Sequence, residues 1–277
     1  MIKLIACDLD GTLLYKGKTI TEKNLAAIAA FVAAGGIFVI CTGRFTQSGE
    51  LTARLLGLNN SHIYADGCVI KSPLKEPDYL FGIDEDLIQK IAAYLVNSDI
   101  DLELYDDKYF YVENMSPFVE NHARVLGVPP FCDELVPEVG SFTNLFGQKR
   151  QWIKAVAIMD TKQKKAIITQ MQNDFAGLLN FSPAHGTASD GTDLLYCNIT
   201  HPSVSKGNAL KLLLKDLKKL PQEAMAIGDS FNDQTMFEVA GTRIAMANAH
   251  PDLLALADHI VSSVENSGVA EAIDKLV

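Results

Sequence analysis

Asp8-Leu9-Asp10-Gly11-Thr12 follows directly on the apolar run at residues 2–7 and is the densest group of reactive side chains in the chain. Side chains alternate across an extended strand, so Asp8 and Asp10 share a side while Leu9 turns into the core. Two carboxylates held that close repel unless a cation neutralises them or one keeps a proton. Either state is chemically useful. An ionised Asp is a nucleophile, and a neighbour with a raised pKa donates a proton to a leaving group. Gly11 lets the backbone turn sharply. Three more polar clusters match this one. Thr42-Gly43-Arg44 supplies a hydroxyl, a flexible turn and a guanidinium. Gly228-Asp229-Ser230-Phe231-Asn232-Asp233 supplies two more carboxylates and an amide, and Lys206, within Ser205-Lys206-Gly207-Asn208, supplies an ammonium.

The surrounding pattern brings these clusters to one place. Residues 2–7, 36–44 and 62–66 read as strands, and 21–34 and 47–57 as helices, with Thr21 as an N-cap and Gly35-Gly36 as a stop. Strand, helix and strand in succession form a βαβ unit, hence a parallel sheet with right-handed crossover. Near the C-terminus, helices are expected at 206–219, 233–239, 251–257 and 268–276. Strands are expected between them at 224–229, 243–246 and 259–262. This alternation predicts an α/β fold, a Rossmann-like doubly wound parallel sheet assembled from residues 1–81 and 200–277. Ligands of open parallel sheets bind beyond the carboxyl ends of the strands. Three of the clusters follow strands, and Lys206 opens a helix.

The middle, residues 82–199, has a different rhythm. Helices are expected at 84–97, 117–126 and 162–175, a hairpin at 101–105 and 109–113, and strands at 151–159, 178–183 and 193–199. Hairpins mixed with helices predict an inserted α+β module, with seams in 72–79 and 200–205.

The 277 residues carry 24 Lys+Arg against 34 Asp+Glu, a net charge of −10, with 48% hydrophobic residues. This composition excludes a disordered chain. The acidic balance argues against partners that are themselves polyanions, nucleic acid and membrane surfaces. The first apolar stretch is broken by Asp8 and Asp10, so it reads as neither a signal peptide nor a membrane span. The five cysteines form no CxxC pair, so neither a disulfide framework nor a zinc site is expected. A cytoplasmic protein is the expectation, with no obligate protein partner evident. The six His lack metal-ligand spacing. Trp152 and the run Tyr105, Tyr109, Phe110 and Tyr111 read as packing, and Lys162, Lys164 and Lys165 as a solvated helix face.

DLDGT, CTGR, VSKGNAL and GDSFND, in this order, resemble the four motifs of the haloacid dehalogenase superfamily of phosphotransferases. More specifically, they resemble its Cof-type phosphatases, which carry a large α/β cap (type IIB) between the second and third motifs. The resemblance implies that Asp8 attacks phosphorus and becomes an aspartyl phosphate. Asp10 protonates the leaving oxygen and then activates water, and Lys206 completes the catalytic set. Thr42 and Lys206 hold the phosphoryl oxygens, with Gly43, Arg44 and Asn232 as further substrate contacts. Mg²⁺ is bound by Asp8, Asp229 and the backbone carbonyl of Asp10, with Asp233 in or just outside that set. The implied activity is hydrolysis of small organic phosphate monoesters, sugar phosphates first, with the inserted module selecting the substrate. A mutase of the same superfamily and a non-catalytic binding protein are the alternatives. The sequence departs from the pattern at Asp66-Gly67-Cys68, where this branch commonly has Asn-Gly-Ala. Either the added carboxylate changes which leaving groups are tolerated, or Asp replaces Asn in a turn with little effect.

Overall fold

The computed structural model describes the chain apart from residues 17, 130, 162–164 and 189 and the side chain of Lys165. The elements run β1 (Leu4–Cys7), α1 (Glu22–Ala33), β2 (Ile37–Ile40), α2 (Thr46–Leu55), β3 (His62–Tyr64), β4 (Val69–Lys71) and β5 (Tyr79–Leu80). The middle of the chain adds α3 (Glu85–Leu95), β6 (Asp101–Tyr105), β7 (Phe110–Val112), α4 (Pro117–Leu126) and β8 (Glu138–Val139). It continues with β9 (Lys154–Asp160), α5 (Lys165–Asp174), β10 (Asn180–Thr187) and β11 (Asp193–Thr200). The chain ends with α6 (Lys206–Asp216), β12 (Ala224–Gly228), α7 (Gln234–Phe237), β13 (Thr242–Met246), α8 (Pro251–Leu254), β14 (His259–Val261) and α9 (Gly268–Leu276). Two compact units result: Met1–Arg44 with Ser48–Tyr79 and Ser205–Val277, and Phe45–Gln47 with Leu80–Val204.

The first unit is built on a parallel sheet in the order β14-β13-β12-β1-β2. β1 reads LIAC and is buried at every position because both its faces are covered. Leu4 and Ala6 join a cluster with Ala209, Leu210, Leu213 and Leu214 of α6. A continuous apolar run is what a central parallel strand requires. Registry matters most for function. Cys7 lies opposite both Ile40 of β2 and Ile227 of β12, so the three strands finish level with one another. The residues that follow them, Asp8, Thr42 and Asp229, therefore emerge at one edge. The Thr21 side chain accepts from Asn24 N at the start of α1, as the sequence predicts, and the Ser205 side chain accepts from Asn208 N at the start of α6.

The third predicted strand, 62–66, is shorter than expected. It ends at Tyr64, and Ala65 and Asp66 turn into left-handed backbone (φ 50° and 59°). Gly67 follows at φ 107°, and the chain doubles back as β4, which pairs antiparallel with β3. β3 meets the main sheet through the parallel bridge of Cys41 with Ile63.

The second unit contains a six-stranded sheet in the order β10-β11-β9-β6-β7-β8. Its pairs are antiparallel except for β7 with β8. Leu102, Leu104, Ala155, Ala157, Met159 and Leu195 lie in one core with Ile88 and Ile91 of α3 and Met171 of α5. Trp152 is buried there, as its reading as packing requires. The expected 162–175 helix is described only as α5; Lys162 and Lys164 lie outside the described residues, as does the Lys165 side chain. All five cysteines are free thiols, and Cys7 and Cys41 are fully buried. Among the described residues no helix is long and apolar enough to cross a membrane.

His62 is a buried residue that the sequence pattern did not single out. Its Nδ1 accepts from Ile40 N at 3.1 Å, and burial pushes its pKa down from 6.5 to about 3. Below pH 6.5 the unfolded chain gains a proton at this ring, whereas the folded chain does not until about pH 3. Stability is therefore lost as pH falls through that window, by about 1.4 kcal/mol per pH unit from this group. Urea unfolding at pH 7 and pH 4.5 should show wild type losing about 2–3 kcal/mol more than His62→Gln. Parallel losses in the two proteins would disprove a neutral buried imidazole.

Candidate active site

Asp8 begins where β1 ends, its backbone N–H still donating to Ile227 O at 3.0 Å. Asp8 is 4% exposed and Leu9, which the motif turns into the core, is fully buried. Lys206 opens α6 and is 1% exposed. Its Nζ donates to Asp8 Oδ1 at 2.5 Å and to Asp233 Oδ1 at 2.7 Å. Burial opposes the charge on Lys206, but Asp233 and Asp8 outweigh it and hold the ammonium protonated. The lysine is thus a fixed positive centre that the register of β1 and the start of α6 bring to Asp8.

Asp229 follows β12. Thr12 Oγ1 donates to its Oδ1 at 2.6 Å, tying the first motif to the last. Gly11 makes this closeness possible, since at φ +83° a Cβ would stand 2.3 Å from Asp229 Oδ2. Asp233 is fully buried and both its oxygens serve the protein. Oδ1 takes the Lys206 bond, and Oδ2 accepts the backbone N–H groups of Asp229 and Ser230 at 3.0 Å each. Asp233 therefore shapes the loop that presents Asp229.

Asp10 points outward, with its side chain 47% exposed, and Arg44 grips it. Nε donates to Oδ2 and Nη2 to Oδ1, each at 2.7 Å, while Nη1 reaches Ser48 Oγ at 3.2 Å. Such a bidentate fork fixes a carboxylate in orientation as well as place. Sequence reasoning assigned Arg44 to the phosphate; its guanidinium is here a buried partner of the acid–base candidate. Thr42 is 1% exposed and its Oγ1 accepts from Arg44 N at 3.0 Å, which stabilises the 42–44 turn. Asn232 donates from Nδ2 to Asp66 Oδ1 at 2.9 Å and accepts at Oδ1 from Ser230 Oγ at 2.5 Å.

The edge therefore gathers Asp8, Asp10, Thr42, Gly43, Arg44, Lys206, Asp229, Asn232 and Asp233. It also holds residues to which sequence reasoning gave no role. Thr12 sits inside the first motif and could have been found as its hydroxyl. Asn248 follows β13 and donates to Gly11 O at 2.8 Å; a polar residue just past a strand's carboxyl end was its signal.

Residues 5–273 match the family of haloacid dehalogenase-like hydrolases. The chain belongs to the haloacid dehalogenase-like hydrolases. The chain is 31% identical over 292 residues to the 5-amino-6-(5-phospho-D-ribitylamino)uracil phosphatase YwtE of Bacillus subtilis, covering 100% of this chain and 98% of that protein. It is 27% identical over 300 residues to the phosphatase YwpJ of the same organism, covering all of both chains. A solved haloacid dehalogenase-like hydrolase from B. subtilis superposes with TM-score 0.82 at 26% identity over the full length of both chains. Like these haloacid dehalogenase relatives, the protein is a hydrolase of phosphate monoesters.

The donor set of this haloacid dehalogenase-like site fits a hard divalent cation. Carboxylate oxygens of Asp8, Asp229 and Asp233 all lie within 4.8 Å of one another. Burial, with Asp233 adding to it, pushes Asp229 up to about 7. Burial likewise raises Asp8, against the pull of Lys206 and with Asp233 and Asp229 adding to the rise. Three carboxylates against one ammonium form a pocket that favours an added positive charge. Its ligands are all oxygen, which suits Mg²⁺ rather than a softer metal.

Proposed function

We propose that the protein is a Mg²⁺-dependent phosphatase of small organic phosphate monoesters, sugar and sugar-alcohol phosphates first, working through an aspartyl phosphate on Asp8. The observation that carries this reading is the buried Asp8–Lys206–Asp233 array beside Asp229, with Asp10 oriented by Arg44. The phosphorylated ribityl compound in the name of the 31% identical relative supports the substrate class.

In the first step an Asp8 oxygen attacks phosphorus while the ester P–O bond breaks, and the Asp10 carboxyl gives its proton to the departing alkoxide oxygen. In the second, Asp10 takes a proton from water as that water's oxygen attacks phosphorus, breaking the bond to Asp8 and releasing phosphate. Asp10 serves both steps because Arg44 holds it in position while half of its side chain stays open to solvent. The Thr42 hydroxyl, the Gly43 N–H and Lys206 hold the phosphoryl oxygens. Positioning and charge neutralisation do most of the work in a loose phosphoryl transition state. Asp8, Asp229 and the carbonyl of Asp10 would hold Mg²⁺, with Asp233 bracing Asp229; the bound ion would neutralise charge on the transferring group. We assign substrate selection to the inserted second unit. A phosphorylated-metabolite panel should show phosphate release with Mg²⁺, none with EDTA, and recovery when Mg²⁺ is restored. Turnover undiminished by EDTA would overturn the metal assignment.

A further inference from the structure

The contacts that orient Asp10 continue behind Arg44. Nε and Nη2 of the guanidinium face the Asp10 carboxylate, and Nη1, on the far side, donates to Ser48 Oγ at 3.2 Å. Arg44 is 5% exposed and Ser48 is fully buried, whereas the Asp10 side chain is 47% exposed. Burying a hydroxyl is costly unless it is bonded, so its bond to Arg44 gives a serine at this place a physical reason. Ser48 lies in the first turn of α2 (Thr46–Leu55). Gly49 beside it sets how closely that helix lies on β3. A Cβ there would stand 2.3 Å from Cδ1 of Tyr64, the fully buried last residue of that strand. One turn on, the buried Thr52 Oγ1 donates back to Ser48 O at 3.1 Å. Packing on β3 thus sets the helix, the helix sets the hydroxyl, and the hydroxyl braces the guanidinium that grips the carboxylate.

We propose that Ser48 is a positioning residue for the acid–base group. Acting through Arg44, it keeps Asp10 in the orientation in which the carboxyl delivers its proton to the leaving oxygen. A guanidinium held on one side only could turn with an exposed carboxylate, and small misplacements of a reacting group are costly in rate. This rests on the phosphatase reading above and adds to it a residue sealed from solvent.

The test compares p-nitrophenyl phosphate with phenyl phosphate, esters of similar shape whose leaving groups differ in their need for a proton. p-Nitrophenolate departs without one, whereas phenolate departs faster when an acid protonates it. kcat/KM is the quantity to read, because it extends only to release of the phenol and excludes the later use of Asp10 as a base. In the full-length protein with Mg²⁺, Ser48→Ala should lower kcat/KM about tenfold for phenyl phosphate and less than about twofold for p-nitrophenyl phosphate. Alanine is the best helix former, so the variant should fold. A general structural lesion would lower both values alike. Asp10→Asn is the reference and should show the same bias, larger. Equal losses on the two esters, or no loss on either, in Ser48→Ala would overturn the role of Ser48 and leave the phosphatase reading intact. An Asp10→Asn enzyme without the bias would overturn the acid assignment and this inference with it. No phosphate from either ester with wild type would sink the phosphatase reading itself.

Discussion

Lys206→Met should unfold at a markedly lower temperature than wild type in EDTA, with a loss of about 3–5 kcal/mol. Methionine keeps an unbranched apolar stem, one atom shorter than lysine, so the change removes the charge with little loss of packing. Lys206 is 1% exposed, and its ammonium is bound at 2.5 and 2.7 Å to Asp8 and Asp233, themselves nearly or fully buried. Removing one partner from a buried ionic group leaves the others uncompensated, which costs far more than the net worth of the intact pairs. The deficit should narrow in millimolar Mg²⁺, because a divalent ion among Asp8, Asp229 and Asp233 restores positive charge where the ammonium was. Phosphate release should fall at least a hundredfold even with Mg²⁺, since an electrostatic contact to the transferring group is gone. The exposed Lys215→Met on the same helix is the control and should stay within about 0.5 kcal/mol. Equal stability of the two variants in EDTA would show that the acids do not depend on Lys206.

The site was legible where function follows from local order. Strand ends could be read from apolar runs stopping at DLDGT, CTGR and GDSFND, and parallel order then places them together. The cap at Thr21 was legible for the same reason, since its bond closes within three residues. The hairpin at Asp106 follows this logic too, with its Oδ1 accepting from Lys108 N at 2.8 Å and Tyr109 N at 2.7 Å. Side-chain partners far apart in the chain were not legible. Arg44 with Asp10 and Asn232 with Asp66, 166 residues apart, depend on registers that no short window contains. Both arginine and amide looked like free phosphate contacts until the fold supplied an acid for each. Short pairings escaped as well. β8 has two residues, too few to carry an alternation, and β4 is hidden because the chain enters it through left-handed backbone at Ala65, a residue that favours other conformations. His62 escaped because a histidine opening an expected strand, just after polar Asn59-Asn60-Ser61, looks the same whether its ring is solvated or sealed.

The acidic balance of the whole chain and an anionic substrate are compatible on this account. The net charge of −10 is spread over the protein, while the edge concentrates acids that together favour a cation. A site can attract phosphate within an acidic protein when its own acids have first attracted a metal.

The central assignment is Asp8 as the group that bonds to phosphorus. Asp8→Asn should lower turnover by about 10⁴-fold or more, since an amide is a far weaker nucleophile at the same place. The fold should persist, because the Asn carbonyl can still accept from Lys206. The most direct measurement is chemical trapping in the wild-type protein: quench during turnover, reduce with borohydride, and identify the modified peptide by mass. An acyl phosphate on an aspartate is reduced to homoserine, and the expected result is homoserine at position 8, absent from Asp8→Asn and from samples without substrate. Homoserine at another position, or an Asp8→Asn enzyme that still releases phosphate within tenfold of wild type, would contradict the mechanism.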